Sequence, residues 1–394
     1  MKNGSAEKNE IIKKESYIGI KAYAKINLGL KIVGLRDDGY HFIDTIMQTI
    51  SLYDTIYLRK SRSICKNPKA YSSVESRNSF NGTNERCSNI RLDIIYADYF
   101  KDDEKNIPTD ERNTCIKAAA LMQKEFSIRE GLDIFIKKNI PSGAGLAGGS
   151  SDAAAVIILI NKLFNLKLSD DKLMKIGAKV GADVPFFIKS GTCICTGIGE
   201  NVIPIKPFCR DFILIIKPDI MISTKDAYKR LDEKFDFIAD TKAKSDTKVK
   251  SDTKVRTDTK VRTDTKVRTD TKVRTDTKVR TDIKVRSDTK VRTDIKVKSD
   301  IRIKNGIDIN DKKSLENIFE SVIFPEHEEI YYIKSKLMEF GANASYMTGS
   351  GSSIYAIFED ELAALKAEKY FKGNELLKKI NNNSLKIFLC KTIN

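Results

Sequence analysis

The segment Pro141-Ser-Gly-Ala-Gly-Leu-Ala-Gly-Gly-Ser-Ser-Asp-Ala-Ala-Ala155 sets four glycines within the seven residues Gly143 to Gly149 and then runs into an Ala-rich apolar stretch. Upstream, Leu132–Lys138 reads as a strand; downstream, Ser150–Leu163 reads as an apolar helix. A strand that turns through glycines into a helix start aims several backbone N–H groups at one point, where the helix adds its partial positive charge. Polyphosphate suits such a cradle. The loop is not of the Walker type, because it holds neither a Lys nor a Gly-Lys-Ser/Thr ending. A plain strand-to-helix turn needs one or two glycines, not four followed by paired serines.

Outward from this loop the chain alternates in character. Strands are expected at Ile18–Ile32 and Thr55–Arg59 and a helix at Thr114–Phe126; after Gly191, strands at Thr192–Thr196, Phe212–Lys217 and Ser353–Phe358 and a helix at Glu328–Phe340. This is α+β in two halves, and 394 residues at 41% hydrophobic suffice for two cores. Two stretches stand apart. Lys60 to Thr83 is rich in Ser, Asn and Lys without a period and reads as a surface loop. Ser245 to Lys304 is ten consecutive hexapeptides of the form [ST]-D-[TI]-[KR]-[VI]-[KR]. Charges fill half of each hexad and no glycine turns a corner, so a solvated, disordered insert is expected rather than a six-residue β-helix.

The repeats also explain the charge. Each carries one Asp and two basic residues, so they supply +10 of the net +16, and the rest of the chain is only mildly basic. A basic tether to RNA or membrane is weakened by the Asp in every repeat. No window reaches the roughly 18 apolar residues of a membrane helix, and the N-terminal residues have no apolar signal core. A cytoplasmic protein with a small-molecule partner is expected, acting as monomer or homodimer, without nucleic acid or membrane. The seven cysteines form no C-x-x-C pair, and the two histidines, His41 and His327, build no metal site. Any metal therefore uses oxygen ligands or arrives with a nucleotide, as Mg²⁺ does with ATP. Ser151, by its place in the loop, and Asp183 are the protein oxygens considered for it, and no dedicated metal residue is assigned.

Phosphoryl transfer to an alcohol needs in-line positioning, neutralised phosphate charge and a proton acceptor. Asp183, in Gly181-Ala-Asp-Val-Pro-Phe-Phe187, suits the acceptor, although a turn or cap Asp would look the same. Lys25, alone on an apolar strand beside Ala24, Ile26 and Leu28, suits its partner, although a strand lysine snorkelling to the surface also fits.

The glycine loop resembles the second motif of the GHMP kinase superfamily in an extended form. The first motif is matched at Ala22-Tyr-Ala-Lys-Ile-Asn-Leu28 and the third at Met347-Thr-Gly-Ser-Gly-Ser352, in the family's order. Asp37-Asp-Gly-Tyr-His41, Ile107-Pro-Thr-Asp-Glu-Arg-Asn113 and the Gly-Ala-Asp-Val-Pro turn narrow the resemblance to the branch that phosphorylates a CDP-linked methylerythritol in non-mevalonate isoprenoid biosynthesis. The resemblance implies a ribosomal protein S5 domain 2-like ATP-binding domain over 18–195. A ferredoxin-like domain over 196–394 follows, interrupted by the repeat, and a flexible extension covers 1–17. It implies ATP on Pro141, Ser142, Gly143, Ala144, Gly145, Leu146, Ala147, Gly148, Gly149, Ser150 and Ser151. It also implies Asp183 as base, Lys25 as the group that orients it, and Asn27, Tyr40, His41, Thr224 and Tyr228 at the substrate. Two departures stand out. Ala147 replaces a usual glycine, which is tolerable only if its φ is negative, and the third motif ends Gly351-Ser-Ser rather than Gly-Pro-Thr. Two other readings stay open: a homoserine- or mevalonate-type kinase of the superfamily, and a non-catalytic protein that kept the fold.

Overall fold

The structure is a computed structural model that describes residues 16–61, 89–235, 315–375, 377 and 385–394. The expected N-terminal extension, the loop at 60–83 and the hexapeptide repeat lie outside these residues, except for positions 16, 17, 60 and 61.

The chain opens with two long antiparallel strands, β1 (Ile18–Leu35) and β2 (His41–Lys60). The Asp-Asp-Gly-Tyr turn joins them, closed by Arg36 N–H to the Tyr40 carbonyl at 2.7 Å, with Gly39 at φ +86° where a side chain would be strained. β2 is the seam of the first sheet. Its first part pairs with β5 (Thr192–Gly197), its last part with β4 (Leu132–Lys138), and β1 runs along it throughout. β3 (Ile90–Tyr96) lies parallel to β4 across the helix α1 (Thr114–Glu125), a β-α-β crossover, and β6 (Asn201–Pro204) closes the other edge. The first sheet therefore runs on to Pro204, past the boundary expected at residue 195.

Helices α1, α2 (Gly148–Leu163), α3 (Asp170–Gly177) and α4 (Val184–Lys189) supply the first core with the sheet. The second sheet is antiparallel in the order β10-β7-β9-β8, from β7 (Phe212–Lys217), β8 (Ala344–Met347), β9 (Ile354–Phe358) and β10 (Lys386–Cys390). Its helices are α5 (Thr224–Lys234), α6 (Glu320–Ile323), α7 (Glu328–Glu339) and α8 (Glu361–Gly373). The order is that of a ferredoxin-like split β-α-β.

A third apolar cluster joins the halves: Ala24, Ile26 and Leu28 of β1 pack with Ile213 and Ile215 of β7 and Tyr355 and Ile357 of β9. This buries one face of the middle of β1; on the other face Lys25 and Asn27, alternating with those apolar residues, lie against Gly145, Thr348 and Gly349 and are buried as well. Among the described cysteines Cys115, Cys193, Cys195 and Cys390 are buried and Cys209 exposed, all as free thiols. No helix among the described residues is long and apolar enough to cross a membrane.

Candidate active site

One cleft of about 1080 Å³ opens between the halves, and the glycine loop forms one wall of it. Pro141 to Gly145, Ala147 and Gly148 to Ser150 line it, whereas Leu146 turns into the interdomain core. Helix α2 begins at Gly148 without a side-chain cap, so its first-turn N–H groups present their partial charge to the cleft. Gly145 has φ +71°, and a Cβ there would come within 2.0 Å of the Thr348 carbonyl oxygen. Only glycine allows the second and third motifs to touch.

Ala147 corrects the expectation of a negative φ. It sits at φ 55°, ψ 35° as the residue before α2, a left-handed position that a side chain tolerates at a cost of roughly 1–2 kcal/mol. Glycine would relieve this but adds freedom to the unfolded chain, about 0.5–1 kcal/mol. We predict that Ala147→Gly raises the unfolding free energy by about 0.5–1 kcal/mol, read from the denaturant midpoint at constant slope.

Lys25 is 3% exposed. It donates to Asn27 Oδ1 at 2.6 Å and to the Gly145 carbonyl at 2.9 Å, so it holds the glycine loop rather than forming a close ion pair with Asp183. Burial pulls its ammonium below the usual lysine range, and the charge of Asp183 pushes back. Both ends of the Asn27 amide make hydrogen bonds. Oδ1 also accepts from Gly349 N–H at 2.9 Å and from the Thr348 hydroxyl at 3.3 Å, and Nδ2 donates to Thr45 Oγ1 at 2.9 Å. It lines the cleft, but its hydrogen bonds run within the protein and tie the first motif to the third.

Asp183 lies at the N-terminus of α4 without a side-chain capping bond, so the capping role that its position suggests is not filled. Its half-buried carboxylate faces the cleft. A carboxylate that is neither capping nor in a close ion pair can accept a proton from a ligand. Its field reaches three neighbours: it supports the Lys25 charge, and with burial as the larger cause it helps raise the Cys195 thiol and pushes the Tyr228 phenol up to about 12. Tyr228 thus stays a neutral donor.

Part of the cleft lining is aromatic. Tyr40 is 61% exposed at the rim, more open than a half-buried tyrosine after a turn. His41 is buried and stacks on Tyr228 with ring centroids 4.7 Å apart, and Tyr228 meets the edge of Phe319 at 5.0 Å. Thr224 also lines the cleft, and its hydroxyl lies 3.0 Å from that of Ser350 in the third motif. The sequence reading missed Asp232, whose Oδ1 is 2.6 Å from His41 Nε2. Its signal is the i, i+4 spacing from Tyr228, legible only once α5 is delimited.

Ser151 is not a cleft residue. It is 2% exposed and donates to the Tyr23 carbonyl at 2.6 Å, so Ser150 is the hydroxyl that lines the cleft. Among the described residues no group of three or more Asp, Glu, His or Cys could hold a metal.

At the base of the loop is an ion cluster that the sequence reading missed, with Lys138 and Asp152 in the cleft lining. Lys138, at the end of β4, contacts Asp54 and, at 2.8 Å, Asp152 of α2; all three are buried. Asp54 Oδ1 also accepts from the Ile140 N–H at 2.8 Å, which fixes the chain entering the loop. Burial opposes the Lys138 charge, but Asp152 and Asp54 together outweigh it and hold the ammonium above its ordinary range. Burial, helped by Asp54, raises the Asp152 carboxyl against the pull of Lys138.

The family model of the GHMP kinase N-terminal domain matches residues 113–191 and that of the C-terminal domain residues 302–374. The 4-diphosphocytidyl-2-C-methyl-D-erythritol kinase of Clostridium perfringens is 32% identical over 372 residues, 93% of this chain and 99% of that protein. The same-named protein of Clostridium beijerinckii is 34% identical over 381 residues, 95% of this chain and 99% of its own. A solved 4-(cytidine 5'-diphospho)-2C-methyl-D-erythritol kinase has a similar fold, with TM-score 0.56 at 18% identity, covering 96% of this chain and 100% of that one. A homoserine kinase from Cytophaga hutchinsonii also has TM-score 0.56, at 15% identity, covering 96% of this chain and 95% of its own. Fold likeness alone does not separate these activities, but the two sequence relatives do: the chain belongs to the 4-diphosphocytidyl-2-C-methyl-D-erythritol kinase family of the GHMP kinases.

Proposed function

We propose that the chain transfers the γ-phosphoryl group of ATP to the 2-hydroxyl of 4-diphosphocytidyl-2-C-methyl-D-erythritol, a step in non-mevalonate isoprenoid precursor synthesis. The observation that carries this reading is one cleft with a glycine-built phosphate wall, a partly aromatic lining and a carboxylate facing it. In this reading the loop from Pro141 to Ser150 and the start of α2 hold the phosphates. Tyr40, His41 and Tyr228 take the cytosine end, since aromatic faces suit bases. Asp183 accepts the hydroxyl proton as the new O–P bond forms and the bond from the γ-phosphorus to the bridging oxygen breaks, releasing ADP. Lys25 fixes the loop through Gly145 and contributes positive charge, and Asn27, at the substrate in the cleft lining, also holds Lys25 and the third motif. Thr224 braces the third motif through Ser350.

Mg²⁺ fits as a companion of ATP, since it is held by few protein oxygens together with phosphates and Ser150 and Asp183 bring side-chain oxygens to the cleft. Ser150 and Asp183 are the side chains that would meet it, and it would supply charge neutralisation on the phosphates.

The test is ATP-dependent turnover measured side by side on the CDP-linked methylerythritol, homoserine and mevalonate, with and without a Mg²⁺ chelator. We expect turnover of the CDP-linked alcohol alone, abolished by the chelator. Turnover of homoserine or mevalonate in its place would move the chain to another activity of the superfamily, and phosphorylation of none by a folded, ATP-binding protein would sink the kinase reading.

A further inference from the structure

His41 stands at the start of β2 in the N-terminal half, with 6% of its side chain exposed. Two residues of α5 in the C-terminal half engage it. Tyr228 lies against its ring at 4.7 Å with 25° between planes, and Asp232, one helical turn on, sets Oδ1 2.6 Å from its Nε2. Tyr228 is fixed from behind by the edge of Phe319 at 5.0 Å and 89°. One helix face therefore clamps an imidazole from the other half by stacking and by a carboxylate.

An imidazole has two ring orientations and two neutral tautomers, and the partner at one nitrogen selects among them. A carboxylate accepts only, so the contact at Nε2 requires an N–H there. Asp232 thereby favours a proton on Nε2 and helps to set which edge of the ring meets the cleft. His41 is also the neighbour of Tyr40, the exposed ring at the rim, so a held His41 holds the approach of that aromatic face as well.

We propose that Asp232 is a positioning residue that determines specificity at the nucleobase end of the cleft: it locks His41 against Tyr228 so that the pocket accepts a cytidine diphosphate group. This deepens the kinase reading and rests on it. Asp232 itself is 43% exposed at the side chain, so its removal opens no hole in the core.

The experiment compares wild type, Asp232→Ala and Asp232→Asn in turnover and in calorimetric binding of CDP alone. Asp232→Ala is expected to raise KM for the CDP-linked substrate about tenfold and weaken CDP by the same factor, the scale of one charge-assisted hydrogen bond. Its kcat and its KM for ATP should stay within about twofold of wild type. Asp232→Asn, which keeps an oxygen to accept from Nε2–H, should recover most of the loss. A merely structural role would lower the unfolding midpoint without this split between KM and kcat. CDP binding by Asp232→Ala equal to wild type, or a loss spread equally over kcat and the ATP KM, overturns the proposal. Wild type that binds CDP but turns over no CDP-linked alcohol would overturn the kinase reading instead, and the CDP comparison would still decide the role of Asp232.

Discussion

Asp183→Asn is expected to lower kcat by about 10²–10⁴-fold, with KM for both substrates within about threefold and the unfolding midpoint unchanged. The two halves of that expectation have different causes. Asn keeps the shape of the side chain but cannot take the hydroxyl proton. Stability should hold because the carboxylate makes no capping bond and is only half buried. There is a secondary effect: losing the Asp183 charge removes the largest opposition to the burial that already lowers the Lys25 ammonium. Lys25→Met should therefore be impaired on two counts, lost charge and lost anchorage to Asn27 and Gly145, and the double variant should be little worse than the poorer single one. Steady-state kinetics beside a denaturation curve decide this, and Asp183→Asn retaining more than about a tenth of wild-type kcat would remove it from the role of base.

Lys138→Met is expected to cost about 3–5 kcal/mol of folding free energy, the largest stability effect foreseen here. The side chain is apolar and similar in length, so packing survives. What does not survive is neutralisation: Asp54 and Asp152 would face each other, both buried, with no ammonium between them. Asp152 carries the sharper penalty, since its Oδ1 is buried without a partner even in the intact cluster. Adding Asp152→Asn to the Met variant should return part of the loss, because one buried carboxylate then disappears. Equal unfolding midpoints for wild type and Lys138→Met would show that the cluster contributes nothing to the fold.

Much of this was legible in the sequence because backbone constraint leaves marks. The run from Gly143 to Gly149 could be read as a phosphate cradle since few other demands require so many glycines before a helix. Leu132–Lys138 and Phe212–Lys217 appear as expected because their apolar runs are bounded by clear breaks. The first half of β2 escaped notice for a physical reason. Asp44, Thr45, Gln48 and Thr49 are all buried there, so polar residues inside the protein erase the alternation that marks a strand. The choice between Ser150 and Ser151 turns on about 100° of helical phase, set where the loop hands over to α2, and no local rule fixes it. Ala147 shows the reverse case: the loop path overrode the preference of the residue. Charged residues at strand ends, such as Lys138, look like surface lysines until tertiary packing brings two carboxylates to them.

The contact of Asn27 with Thr348 and Gly349, and of Gly145 with Thr348, bears on how such a protein can be recombined. The two halves are not interchangeable cassettes. A C-terminal half taken from another kinase would present its cleft wall correctly only if its glycine turn brought an amide and a hydroxyl to the Asn27 oxygen and tolerated Gly145 at contact distance. Substrate range in a chimera is thus gated first by this joint, and sequence drift on one side of it is admissible only in concert with the other.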